Sequence, residues 1–194
     1  MRGAALLAGL LLAAPLRADE GRAFRFLGGA ASGLAIHEGA HVALDVAFGA
    51  QPGVKKVDFA GIPFFAITHD AALPARKELA ISSAGFWTQH ATSERILTRR
   101  PRLHAEPAPF AKGMLAFNVL TSVAYAGAAF ARAGPGERDT RGIAEALGVA
   151  EPWVGAMVLT PAVLDAYRYY RPEARWAKWA SRGTKAAFFL LVLK

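Results

Sequence analysis

Apolar and polar positions divide the chain into long apolar runs separated by short polar breaks. Phe24 to Phe48 has the length of a helix. Past Phe26 its ionisable residues are His37, Glu38, His41 and Asp45, spaced to lie on nearly one face. It is also rich in small residues (Gly28, Gly29, Ala30, Ala31, Gly33), which let helices pack closely in lipid. Gly49 to Pro74 abandons the helical period. There Val57-Asp58-Phe59 alternates, Gly61-Ile62-Pro63 reads as a turn and Phe64 to Ile67 as a return strand, which predicts a short β-hairpin or a buried loop. Leu79 to Ser93 carries no Asp, Glu, Lys or Arg and is expected to be a helix packed on the first. Gly113 to Ala131 is uncharged between Lys112 and Arg132, the strongest single transmembrane candidate. Trp153 to Leu164 is apolar again and ends at Asp165.

The polar breaks suggest a topology. Thr98 to Arg102 is a basic loop, residues 134–139 form a polar loop, and the tail from Tyr167 mixes Tyr and Trp with Arg and Lys as at a lipid headgroup level. Ala186 to Leu193 is too short to span. The basic loop and tail favour the cytoplasm, with residues 134–150 outside. Residues 50–97 must then enter and leave from one side, as a re-entrant hairpin or as a tilted, buried helix. Residues 1–18 read as a signal peptide or uncleaved signal anchor, with Arg2, the apolar run Ala4 to Leu16, and Ala18 before Asp19-Glu20. The remainder, 19–194, is one domain's worth of chain.

Composition sharpens this picture. Hydrophobic residues make up 54% of the chain, which leans toward a membrane, although 20% are charged. There is no cysteine, so disulfides, thiolate metal ligands and a Cys nucleophile are excluded. The net charge of +8 is scattered among apolar runs, which fits juxtamembrane basic residues and no nucleic-acid partner. The expected fold is mainly α: a polytopic helix bundle of about four spans in a bacterial inner membrane, with a short β-hairpin or re-entrant region after the first helix.

His37-Glu38-Gly39-Ala40-His41 is an H-E-x-x-H motif. Histidines four apart lie one turn apart on one helix face and can grip a single Zn²⁺ from a rigid element. Glu38 beside them is placed to take a proton from a water that the zinc acidifies. A hydrolytic zinc usually has a third protein ligand. The extended metzincin pattern fails, because Leu44 stands where Gly is needed and Ala47 where the third His would be. Glu78 and Glu94 are downstream carboxylate candidates, and His69 and His90 are also free.

With these features the chain resembles the site-2 protease family of intramembrane zinc metalloproteases. The resemblance rests on H-E-x-x-H within an early apolar helix, on Ala84-Gly85 after the possible strand region, and on Pro161-Ala162-Val163-Leu164-Asp165 late in the chain. The departures are Ala166 after Asp165, the lack of an Asn before Thr160-Pro161, and Phe86 after Gly85. The resemblance implies Asp165 as third zinc ligand beside His37 and His41, Glu38 as general base, and membrane-anchored proteins or peptides as substrates. Asn118, in the third apolar segment, is the candidate for binding an oxyanion. Two alternatives stand beside this expectation: an inactive membrane protein of the same fold serving as an interaction or assembly factor, and a peripheral periplasmic zinc metallopeptidase with a Glu ligand.

Overall fold

The computed structural model describes residues 20–59, 62–69 and 73–193, so the signal segment read at 1–18 lies outside the described residues. Among them the order is α1 (Glu20–Phe48), β1 (Gly53–Phe59), β2 (Ile62–Thr68), α2 (Ala75–Arg99), a 3-10 turn (Leu103–Ala105), α3 (Pro109–Ala131), α4 (Asp139–Leu147), α5 (Glu151–Tyr170) and α6 (Arg175–Leu193). The architecture is mainly helical with one hairpin, as the apolar periodicity predicts. The strands pair antiparallel from Gly53 opposite Thr68 to Phe59 opposite Ile62.

α1 buries Gly29, Gly33, His37, His41 and Asp45, one residue every four positions. This places the small residues and the ionisable ones on the same inward stripe. The glycines set how near α3 can come. A Cβ at Gly29 would enter the Phe110 carbonyl of α3, and one at Gly113 would enter the Phe26 carbonyl of α1. Only hydrogen side chains on both helices permit this crossing.

α2 is the central element and meets α1, α3, α4, α5 and α6. Its Leu79 and Phe86 join Ile143 and Ala144 of α4, Val154 and Val158 of α5, and Phe188 of α6 in one buried apolar cluster. Leu97, Leu103 and Leu115 form a second cluster under the α2–α3 connection. Residues 50–97 are therefore a hairpin followed by a long buried helix.

Three elements differ from the sequence reading. α2 extends beyond Leu79–Ser93 at both ends, because charged residues such as Glu78 and Glu94 find partners inside the fold. The whole of Arg175–Leu193 is one helix rather than an interfacial segment and a short apolar run. Residues 139–147, read as part of the loop over 134–150, form α4. Its Ile143 and Ala144 are buried, and Asp139 stands in its first turn, where a carboxylate suits the helix dipole. α4 stops at Gly148, which takes a left-handed φ of 66° and lets Val149 N–H reach Ala144 O at 3.0 Å.

Among the described residues α3 alone is long and apolar enough to cross a membrane as a single helix. α4 and α5 reach the same measure together, joined at a bend of 120°.

Candidate metal centre

α1 delivers His37 and His41 to the interior, where they are 1% and 5% exposed. The two Nε2 atoms lie 3.4 Å apart. Asp139 Oδ2, carried in by α4, is 3.1 Å from His37 Nε2 and 3.4 Å from His41 Nε2. Neighbouring ligands of a tetrahedral metal at 2.0–2.1 Å are about 3.3 Å apart, and all three separations match that spacing. These three side chains could hold one metal ion.

The surroundings orient each donor. His41 Nδ1 donates to Ile81 O at 2.8 Å, which turns its Nε2 toward His37 and Asp139. His37 is held by packing, since its Nδ1 is buried with no hydrogen-bond partner. The rings of Phe86, Phe117 and Tyr125 surround it at 5.8, 6.5 and 6.1 Å between centroids. Gly85 closes the fourth side: a Cβ there would fall within 2.5 Å of His37 Nδ1 and Nε2. The helix expected over Leu79 to Ser93 to pack on the first does so here, and at Gly85 the packing is against the first histidine of the motif.

Asp139 is fixed from both sides along the chain. Arg138 Nε and Nη2 each reach Glu151 at 2.6 Å, and Thr140 Oγ1 donates to the same carboxylate at 2.8 Å. Glu151, at the start of α5, thus clamps the residues flanking Asp139. Tyr125 of α3 lines the same cavity as Asp139. Burial pushes the Asp139 carboxyl up, but the His41 and His37 imidazoles outweigh it, and the group titrates well below the usual carboxylate range.

Glu38 faces a cavity of about 250 Å³ shared with His41, Tyr125 and Asp139. The rest of its wall is largely apolar, with Val57, Phe65 and Ile67 from the hairpin and Ala124 and Ala128 from α3. An ion pair between Lys55 of β1 and Glu137 ties the hairpin to the loop before α4.

Other sequence candidates lie elsewhere. The expectation for Asp165 is corrected: Asp139 is the carboxylate that meets the histidines. Asp165 Oδ1 instead accepts from Ser181 at 2.7 Å, Lys185 at 2.8 Å and Arg168 at 3.3 Å. Glu94 belongs to the same cluster and pairs with Arg168, Arg182 and Lys185. These groups join α2, α5 and α6, and they supply the reason for an Asp at the end of an apolar run. Asn118 also stands apart from an oxyanion-binding role. Its amide donates to Gln89 O, Thr92 Oγ1 and Ser93 Oγ at 3.2, 2.9 and 2.9 Å, pinning α3 to α2. His90 is buried against Phe188 at 5.6 Å between ring centroids. His69 and Glu78 pair with each other at 2.7 Å.

Asp139 is the residue that sequence reasoning missed. It is 102 positions from His37, in a segment whose charges read as a loop. The available signal was weak but physical: Asp at a helix start, apolar Ile143, Ala144 and Leu147 at helical spacing, and Gly148 as a stop. Comparison of the chain with protein-family models, curated proteins and solved structures finds no match.

Proposed function

We propose that the chain is a membrane-embedded zinc endopeptidase acting on membrane-associated proteins, with His37, His41 and Asp139 as ligands and Glu38 as general base. The observation that carries this reading is the three ligand atoms at tetrahedral spacing beside Glu38 and an open apolar cavity. Three protein ligands with a free fourth direction suit catalysis, whereas a structural zinc is closed by four. Two imidazoles and a carboxylate also suit zinc among biological metals, as in other zinc hydrolases.

Zinc bound there would supply Lewis acidity toward a peptide carbonyl and make water more acidic. Glu38 takes the proton from the attacking water and returns it to the leaving amine, so one carboxylate serves as base and then acid. Glu151, through Arg138 and Thr140, holds the backbone around Asp139 in place. The apolar wall formed by the hairpin and α3 receives an apolar stretch of substrate and limits access of bulk water.

Support for the membrane comes from inverted polarity. The interior contains His37, His41, Asp45, Asn118, Asp165, Arg168 and Lys185, while Phe24, Trp153, Tyr170 and Trp179 are 79, 70, 70 and 66% exposed. Water would favour the opposite arrangement, and lipid favours this one. On this reading α3 spans the bilayer, α4 and α5 together form a second, bent span, and α2 is enclosed among the helices.

The test is cleavage of detergent-solubilised single-span proteins by wild type and by Glu38→Gln. Loss of about 10²–10⁴-fold in rate with zinc content unchanged is expected. Unchanged cleavage would refute Glu38 as base. Extraction by carbonate without detergent would refute the membrane-embedded placement and return the peripheral alternative.

A further inference from the structure

One turn beyond His41, α1 places Asp45 in the interior, and the metal centre makes no use of it. Asp45 is 0% exposed, and neither carboxylate oxygen has a hydrogen-bond partner among the described residues. A buried carboxylate without a hydrogen bond is costly and calls for a cation. Its ion-pair contact among the described residues is His69 Nδ1, 3.3 Å from Oδ1. This separation lacks hydrogen-bond geometry but equals the spacing of two ligands on one tetrahedral metal. The other ring nitrogen, His69 Nε2, lies 2.7 Å from Glu78 Oε2, and Ser82 Oγ donates to Glu78 Oε1 at 2.9 Å. A carboxylate holding the far nitrogen of an imidazole is the arrangement that orients a metal-binding histidine. All four residues line a cavity of about 670 Å³ that reaches His41 and Asp139. Lys55 and Arg138 on its wall are paired with Glu137 and Glu151, so neither neutralises Asp45.

We infer that Asp45 and His69 form a second binding site, for a divalent transition-metal cation such as zinc, with Glu78 orienting His69 and water completing the coordination. Two protein ligands make this site weaker than the His37–His41–Asp139 centre. Its position in the connected cleft suits a cation waiting to load that centre, or one that occupies the cleft when zinc is abundant. The inference rests on Asp45 and its surroundings and does not require the peptidase reading.

The test is titration of metal-stripped, full-length protein in detergent with Zn²⁺ alone, read by calorimetry and by equilibrium dialysis. Wild type is expected to show a tight and a weaker class of site. His69→Ala and Asp45→Asn should each lose the weaker class and keep the tight one, Glu78→Gln should weaken it about tenfold, and His41→Ala should do the reverse. Helix content and melting of the stripped variants check folding, and His69, outside every helix, provides a variant with little effect on the bundle. Weaker binding that is the same in wild type, His69→Ala and Asp45→Asn would overturn the inference. A single class lost in His69→Ala but kept in His41→Ala would uphold it while refuting the metalloenzyme reading.

Discussion

Gly85→Ala puts one methyl group where the account says none fits. The new Cβ would lie 2.5 Å from both His37 Nδ1 and Nε2, whereas ordinary contacts begin at 3.4 Å. The imidazole must therefore retreat by roughly 1 Å, or α2 must back away from α1. Metal–ligand distances tolerate only about ±0.2 Å, so a shift of that size removes His37 as an effective ligand. Zinc affinity should fall about 100-fold, which is about 2.7 kcal/mol. Stability of the metal-free protein should change less, because overpacking costs about 1–3 kcal/mol while replacing a mid-helix glycine by alanine returns up to about 1 kcal/mol. Gly39→Ala is the control: it lies inside the motif, yet a Cβ there meets nothing within 4 Å. The assay is competition for Zn²⁺ against a chromophoric chelator, with thermal melting of stripped protein alongside. A folded Gly85→Ala protein that binds zinc as tightly as wild type would refute the tight packing of Gly85 on His37.

Further outcomes follow from the same geometry. Glu151→Gln should loosen the clamp on Arg138 and Thr140 and reduce zinc affinity about 10-fold or more, read in the same competition assay; unchanged affinity would remove Glu151 from the positioning of Asp139. Asp165→Asn should leave zinc binding intact and destabilise the fold by about 3 kcal/mol, because Lys185 and Arg168 lose a buried partner; unfolding in mixed detergent micelles measures this. The Lys55 hydrogen bond holds the Glu137 carboxyl below its ordinary value of 4.5. The sign follows: the contribution is full above that value and is lost as pH falls through the lowered one. The pair is partly exposed and contributes less than about 1 kcal/mol. Protease sensitivity of the hairpin should accordingly rise in acid, and Lys55→Ala should abolish most of that difference.

The parts of this molecule that the sequence announces are those with local causes. α1 is legible because His37, Glu38, His41 and Asp45 fall on one stripe of an otherwise apolar run. The hairpin is legible from alternation, and α3 from its uncharged length. The candidate third ligand is not legible, because its cause is tertiary: α4 brings Asp139 to the histidines from a stretch whose charges resemble a solvated loop. Asp165 attracts attention for a sound reason, since a carboxylate closing an apolar run needs a partner. Its partners are Ser181, Lys185 and Arg168, two of them on α6, a helix that the mixed aromatic and basic tail does not declare. Asn118 similarly looks chemical, but it serves as a polar pin between α2 and α3.

The central claim is that Asp139 completes the metal centre, and zinc content tests it directly. Detergent-purified wild type, Asp139→Ala, Asp165→Ala and His41→Ala would be dialysed against metal-free buffer to strip weak sites, and zinc per chain counted. The account predicts that wild type and Asp165→Ala retain tightly bound zinc while Asp139→Ala and His41→Ala lose it. Zinc retained in Asp139→Ala but lost in Asp165→Ala would contradict it and return the third ligand to the position that the family resemblance implies.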